Sequence, residues 1–216
     1  MGFIITLIAQ IYVNRSYDKY KNQWTKKRMT GAEIAKIILE KNGLKEINVQ
    51  KVKGNLTDHY DPKKKIVCLS SEIYEGDTIA AASVAAHECG HAIQHKEKYL
   101  FIKMRTALVP LVNFSTKIGY LVVIIGLSFS LPKIAVIGLM LLLMMLLFQL
   151  ITLPVEFDAS SRAKKQLIEL NIIDNNELDD TRTMLNAAAL TYVASLITTL
   201  LQILRLALIV LGRRDD

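Results

Sequence analysis

Cysteine is nearly absent from this sequence: its 216 residues hold two, Cys68 and Cys89. Two cysteines build no disulfide framework, and their separation fits no structural zinc pattern, so reduced thiols facing a cytosol are expected. Met1 to Val13 lacks a basic leader and a small-residue cleavage site, which argues against a secretory signal peptide. The stretch is too short to span a bilayer and is expected to be the second half of a transmembrane helix that begins before Met1. Internal repeats and low-complexity segments are also missing. Charge is missing from one window, Ile134 to Leu153, which reads IAVIGLMLLLMMLLFQLITL with only Gln149 and Thr152 polar. About 20 apolar residues in a helix cross a ~30 Å hydrocarbon core. That window excludes a simple soluble globule and an intrinsically disordered chain, although the apolar fraction of 51% is only mildly high.

What charge there is gathers in one region. Between Asn14 and Lys117 there are 19 Lys and Arg against 11 Asp and Glu, while the whole chain carries a formal +7. A basic region flanking membrane spans points to a cytoplasmic-side domain, by the positive-inside tendency. Nucleic acid is not an expected partner. The basic residues are dispersed, as in Lys26-Lys27-Arg28 and Lys63-Lys64-Lys65, with no interleaved aromatics and no recognition motif.

The pattern along the chain divides it into five stretches: a partial transmembrane helix at 1–13, a basic domain at 14–106, a transmembrane hairpin at 107–153, a polar segment at 154–185 and a last apolar helix at 186–211. Within the basic domain, a charged helix is expected to continue through Asn14 to Met29. Thr30 caps the next helix with Glu33 in the capping-box position, and Asn42-Gly43 ends it. Ile47 to Lys53 alternates as a strand, and Lys65 to Leu69, after the Asp61-Pro62 turn signal, is a second strand. A long alanine-rich helix follows from about Asp77 to Lys96. The apolar segment Ala107 to Leu131 is expected to be broken by Pro110, Asn113 and Lys117, and Pro154 is expected to open a new polar helix from Glu156 to Leu170.

The alanine-rich helix contains His87-Glu88-Cys89-Gly90-His91, the HExxH pattern. Residues four apart on a helix lie one above the other, so both imidazoles can reach one metal ion at ~2.0–2.1 Å. Glu88 stands beside them, placed to take a proton from water at the metal rather than to bind it. By composition alone, such a pattern arises by chance in roughly three chains in a thousand. A hydrolytic zinc site needs a third protein ligand. His95 lies a further ~6 Å along the helix axis, too far to share the ion, and His59 is a lone histidine beside a turn. A carboxylate is the better candidate. Glu156 and Asp158 follow the strong span, and the two passes of the hairpin return them to the side of the membrane that holds the histidines.

These residues resemble a known family, the bacterial membrane-embedded neutral zinc metallopeptidases (YugP-like). The strings that carry the resemblance are Leu56 to Pro62, Val84 to His95, Ala107 to Pro110, Leu153 to Ser160 and Leu185 to Ala194. A looser similarity reaches the gluzincin membrane proteases of the HtpX and CAAX-processing type, in which the glutamate of an E-x-x-A-D string after a membrane pass is the third zinc ligand. Glu156-Phe157-Asp158-Ala159 matches that string, with Ser160 where the aspartate would stand and Asp158 or Asp58 as candidates to replace it.

The resemblance implies an α+β, mainly α protein: a zincin-like domain with a small β-element, anchored in the cell (inner) membrane by three to four transmembrane helices, its site on the cytoplasmic side. The implied function is that of an endopeptidase acting on a peptide or membrane-protein substrate. One zinc ion per chain is held by His87, His91 and Glu156, with Glu88 as general base. His59, Tyr60, Asp158 and Asn186 are candidates for supporting contacts or oxyanion stabilisation. Two alternatives stand beside it. An intramembrane protease of the site-2 type would carry HExxH inside the bilayer, but here the helix runs into the charged Gln94 to Lys98. A catalytically inactive metal-binding adaptor would favour a closed, cysteine-rich site, whereas Cys89 points away from the histidine stripe.

Overall fold

A computed structural model of the chain describes residues 2–212. Helix α1 (Gly2–Tyr20) is followed by α2 (Gly31–Lys41), strands β1 (Asn48–Val52), β2 (His59–Asp61) and β3 (Ile66–Ser70), the short α3 (Ser71–Glu75) and then α4 (Ile79–Lys96). Three long helices complete the chain: α5 (Leu100–Ser128), α6 (Pro132–Glu169) and, after a 3₁₀ turn at Asn175–Glu177, α7 (Leu178–Gly212). The architecture is mainly helical with one small sheet. All three long helices are apolar and long enough to cross a membrane.

Local chemistry explains the helix starts in the basic domain. Thr30 accepts from the Glu33 amide while the Glu33 carboxylate accepts from the Thr30 amide, a complete capping box on α2. Gly43, with φ +65°, takes the left-handed turn that ends the same helix. Thr78 caps α4 by accepting from the Ala81 amide.

The sheet has the order β1-β3-β2, with β1 parallel to β3 and β2 antiparallel to it. Its third strand, β2, is three residues long and has no alternation to reveal it in the sequence. The sheet and α2 pack on α4, which is buried along most of its length. Small side chains on α4, such as Ala82, Ala85 and Ala86, let its neighbours approach closely.

Three expectations from the sequence are corrected. α1 ends at Tyr20, so no charged helix reaches Met29; the chain turns there, and the amides of Thr25 and Lys26 bond Asp77 and Glu177 instead. Pro110 does not break the first arm of the hairpin, since α5 runs through it. Pro154 likewise lies inside α6, which continues without interruption from the apolar span into the polar segment. Proline removes one helical hydrogen bond at each place, but packing of α6 against α4, α5 and α7 along its length holds the axis. The consequence is functional: Glu156 is carried on the same rigid rod as the span.

Glycines set the hairpin. Gly138 of α6 meets the Val123 backbone of α5, where a Cβ would come within 2.6 Å of the Val123 nitrogen. Outside this contact the long helices expose large apolar side chains such as Phe114, Ile124, Ile137, Leu200 and Leu204, as helices surrounded by hydrocarbon do.

Candidate metal centre

α4 and α6 cross where Gly90 faces Ala159, and that crossing brings the site together. His87 Nε2 lies 3.3 Å and His91 Nε2 3.7 Å from Glu156 Oε2. The three ligand atoms lie within 4.8 Å of one another, a group that could hold a metal ion. The two imidazole rings meet edge to face with centroids 4.8 Å apart.

Glu156 is only 2% exposed. Neither of its carboxylate oxygens has a hydrogen-bond partner among the described residues, although Arg105 Nη1 stands 3.2 Å from Oε1. A carboxylate buried this deeply is costly unless cations balance it; Arg105 faces Oε1, which leaves Oε2, beside the two imidazoles, for a metal ion. Two imidazole nitrogens and one carboxylate oxygen form a donor set that suits zinc and leaves a fourth position for water. The residues fit the metal.

The far sides of the two rings are also fixed. Gln94 Nε2 donates to the Val155 carbonyl and to Asp158 Oδ2, both at 2.8 Å. Both hydrogens of that amide are therefore used, and its Oε1 must accept from His91 Nδ1, 3.0 Å away. That contact puts a proton on Nδ1 and leaves Nε2, which faces Glu156, as the nitrogen that would bind a metal. Ser160 Oγ lies 3.2 Å from His87 Nδ1, where its hydroxyl can either accept from or donate to the ring. The serine thus makes the histidine contact itself. Asp158 acts one step removed, through Gln94, and is held by Arg162 Nε at 2.5 Å. Asp58 instead accepts from the Ser70 amide and hydroxyl at the end of β3.

Burial would push His91 towards its neutral form, but Glu156 beside its ring and Glu88 nearby outweigh it and hold its pKa above the ordinary value. His95 is shifted the other way, first by burial and then by the charge of His91. It sits outside the three-residue group and packs at a tilt against Tyr60, with ring centroids 5.6 Å apart and planes at 60°. Cys89 faces away from the centre, its thiol against the Ala35 carbonyl of α2.

A cleft of about 630 Å³ opens over these groups. Glu88 lines it beside the two histidines, and His59 and Tyr60 come from β2, one of the two edge strands of the sheet. Asn186 is exposed on α7 and is not among the lining residues, whereas Tyr192, on another face of that helix, is. Arg105, Gln94 and Tyr192 were not among the residues expected from the sequence. Gln94 lies one turn after His91, a spacing that could have pointed to it. Arg105 and Glu156 stand nearly equally far from the Leu131-Pro132 turn, so counting along an antiparallel hairpin would have paired them.

A family model described as "Putative neutral zinc metallopeptidase" matches residues 1–211. The chain belongs to this family. It is also 43% identical over 208 residues to a Bacillus subtilis (strain 168) protein named "Putative membrane protease YugP", covering 96% of this chain and 92% of that one. No solved structure matches the chain. Membership in a zinc peptidase family agrees with the donor set built by His87, His91 and Glu156.

Proposed function

We propose that this chain is a membrane-anchored zinc endopeptidase that hydrolyses peptide bonds with a glutamate general base. The observation that carries the reading is the meeting of His87 and His91 with the buried carboxylate of Glu156. One zinc ion held by these three would supply Lewis acidity towards a carbonyl oxygen and water nucleophilic at neutral pH. Glu88, buried at the cleft floor, takes the proton of the attacking water and returns it to the leaving amine. Gln94 holds His91 in the tautomer that binds metal, and the Ser160 hydroxyl orients the His87 ring from its Nδ1 side. Tyr60 and His59, on the edge strand that faces the cleft, lie where an extended peptide can add to the sheet. Arg105 and Tyr192 reach the cleft from the side of the long helices and are further candidates to stabilise developing negative charge.

The basic excess of the 14–106 region supports placing the site on the cytoplasmic face of the cell membrane. Reporters inserted near Asn55 and near Asn175 should both read cytoplasmic. The activity itself is tested with Glu88→Gln. This variant should bind one zinc per chain as the wild type does and lose hydrolysis of a model peptide. Loss of zinc together with activity would make Glu88 a ligand, and full activity would remove it from the mechanism.

A further inference from the structure

The cleft does not stop at the metal centre. Arg105, Thr106, Val109, Pro110 and Asn113 all line it from one face of α5. The hairpin register sets their depth. Gly138 packs on Val123, and Arg105 reaches Glu156, so Val109 and Asn113 lie beyond the level of Leu153, inside the apolar span. From Arg105 to Asn113 the helix descends about 12 Å.

The opposite wall is α7, through Tyr192. α5 and α7 each pack on α6 and scarcely touch one another. They converge deeper, where Val123, Leu142 and Ile203 form a buried cluster. The result is a groove floored by α6, closed at its bottom and open sideways at membrane depth.

The groove wall is unlike the lipid-facing surface of α5. Pro110 has no amide hydrogen, so the Thr106 carbonyl one turn before it lacks its helical donor. Asn113 adds an exposed amide at the same depth, and Lys117, one turn further on, is exposed too. Polar groups and unpaired backbone are tolerated at such depth where they line a cavity.

We propose, resting on the peptidase function above, that the substrate is a membrane-anchored polypeptide. Its transmembrane segment enters sideways between α5 and α7, and the end of that segment lies extended along α5 on its way to His87 and His91. Continuity with the metal centre selects this occupant, because a chain rising out of hydrocarbon must pass Asn113 and Val109 first. A soluble peptide would need no wall at that depth. An acyl chain would gain nothing from a free carbonyl and an amide, whereas an unwound backbone has N–H groups to donate. A path of ~12 Å takes about four extended residues at ~3.3 Å each, so the cut should fall within about four residues of the end of the apolar segment.

The test is photo-crosslinking of the full chain in proteoliposomes, in a Glu88→Gln background. The probe is a single-span polypeptide with about 20 Leu and Ala residues followed by a flexible polar tail. A photoreactive residue replaces Val109 or Asn113 in the groove. As control it replaces Leu111, exposed at the same depth on the opposite face of α5. Labelling of the probe should be at least tenfold stronger from 109 and 113 than from 111. Equal labelling from all three positions, or lipid labelled from 109 with no probe, would overturn the proposal. A probe that labels 109 selectively but is left uncut by the wild-type chain would uphold the groove and overturn the peptidase reading instead.

Discussion

Gly90 of α4 lies so close to Ala159 of α6 that a Cβ on the glycine would stand 2.6 Å from the Ala159 carbonyl oxygen. No real side chain tolerates that distance, so the crossing admits glycine alone. Gly90 sits between the two histidines of HExxH, and Ala159 one turn beyond Glu156, so the same contact sets the distance between the imidazoles and the carboxylate. Gly90→Ala should therefore act on metal and stability together. Overpacking of this kind costs ~1–3 kcal/mol, and the wedge moves Glu156 away from both rings. Zinc content and thermal unfolding in detergent should both fall; a variant that keeps full zinc at an unchanged Tm would show that the crossing is not what builds the site.

Gln94 has no direct place in the metal group, yet it is completely buried and joins His91 to Val155 and Asp158. Replacing it by Leu keeps the volume roughly constant and removes the acceptor that fixes the His91 tautomer. Loss of such a supporting contact typically weakens metal about 10–100-fold. Competition against a chelator should give a drop in that range for Gln94→Leu, with stoichiometry still one zinc at saturating metal. An unchanged affinity would mean that the ring is oriented by packing alone.

How much of this was legible in the sequence depends on distance along the chain. The histidine pair, Glu88 between them and the capping box of Thr30 and Glu33 are all contained within single turns of helix, and periodicity alone locates them. Glu156 required topology, the counting of two passes, and then the resemblance to choose it over Asp158. The serine at 160 could not be read as a stand-in for aspartate until α6 was seen to run straight through Pro154 and turn its Oγ towards His87. Pro110 and Pro154 misled for a common reason: propensity weighs the lost hydrogen bond but cannot see the neighbouring helices that offset it. β2 escaped because three residues hold no measurable alternation, and its strand identity comes entirely from pairing with β3.

The capping box predicts a pH dependence far from the metal. The Thr30 amide, and then its hydroxyl, hold the Glu33 carboxyl below its ordinary pKa. A carboxylate depressed in the folded state contributes stability above its unfolded pKa of about 4.3, and that contribution disappears as pH falls through the folded value. Glu33→Gln should thus be less stable than the wild type at neutral pH, and the gap should close below about pH 4. Thr30→Ala, which loses the cap itself, should cost about 1 kcal/mol at neutral pH. Thermal unfolding of the three proteins across pH would decide it; a Glu33→Gln gap that widens in acid contradicts the sign.

The third ligand separates the assignments most sharply. Glu156 offers the only carboxylate among the described residues grouped with His87 and His91, and besides the imidazoles its charge faces the Arg105 guanidinium, 3.2 Å from Oε1. Glu156→Gln removes the charge while keeping the shape, leaving an ion with two imidazoles and water. Zinc should be lost far beyond the range caused by a supporting contact, which is about 10–100-fold. Asp158→Asn, which disturbs only the partner of Gln94, should stay within that range. His95→Ala should leave affinity nearly untouched, since His95 is occupied with Tyr60 and lies a full turn past the pair. Chelator competition on the three variants gives a rank order, and the order carries the conclusion. If His95→Ala strips the metal while Glu156→Gln retains it, the site is a three-histidine one and the role of α6 must be rebuilt.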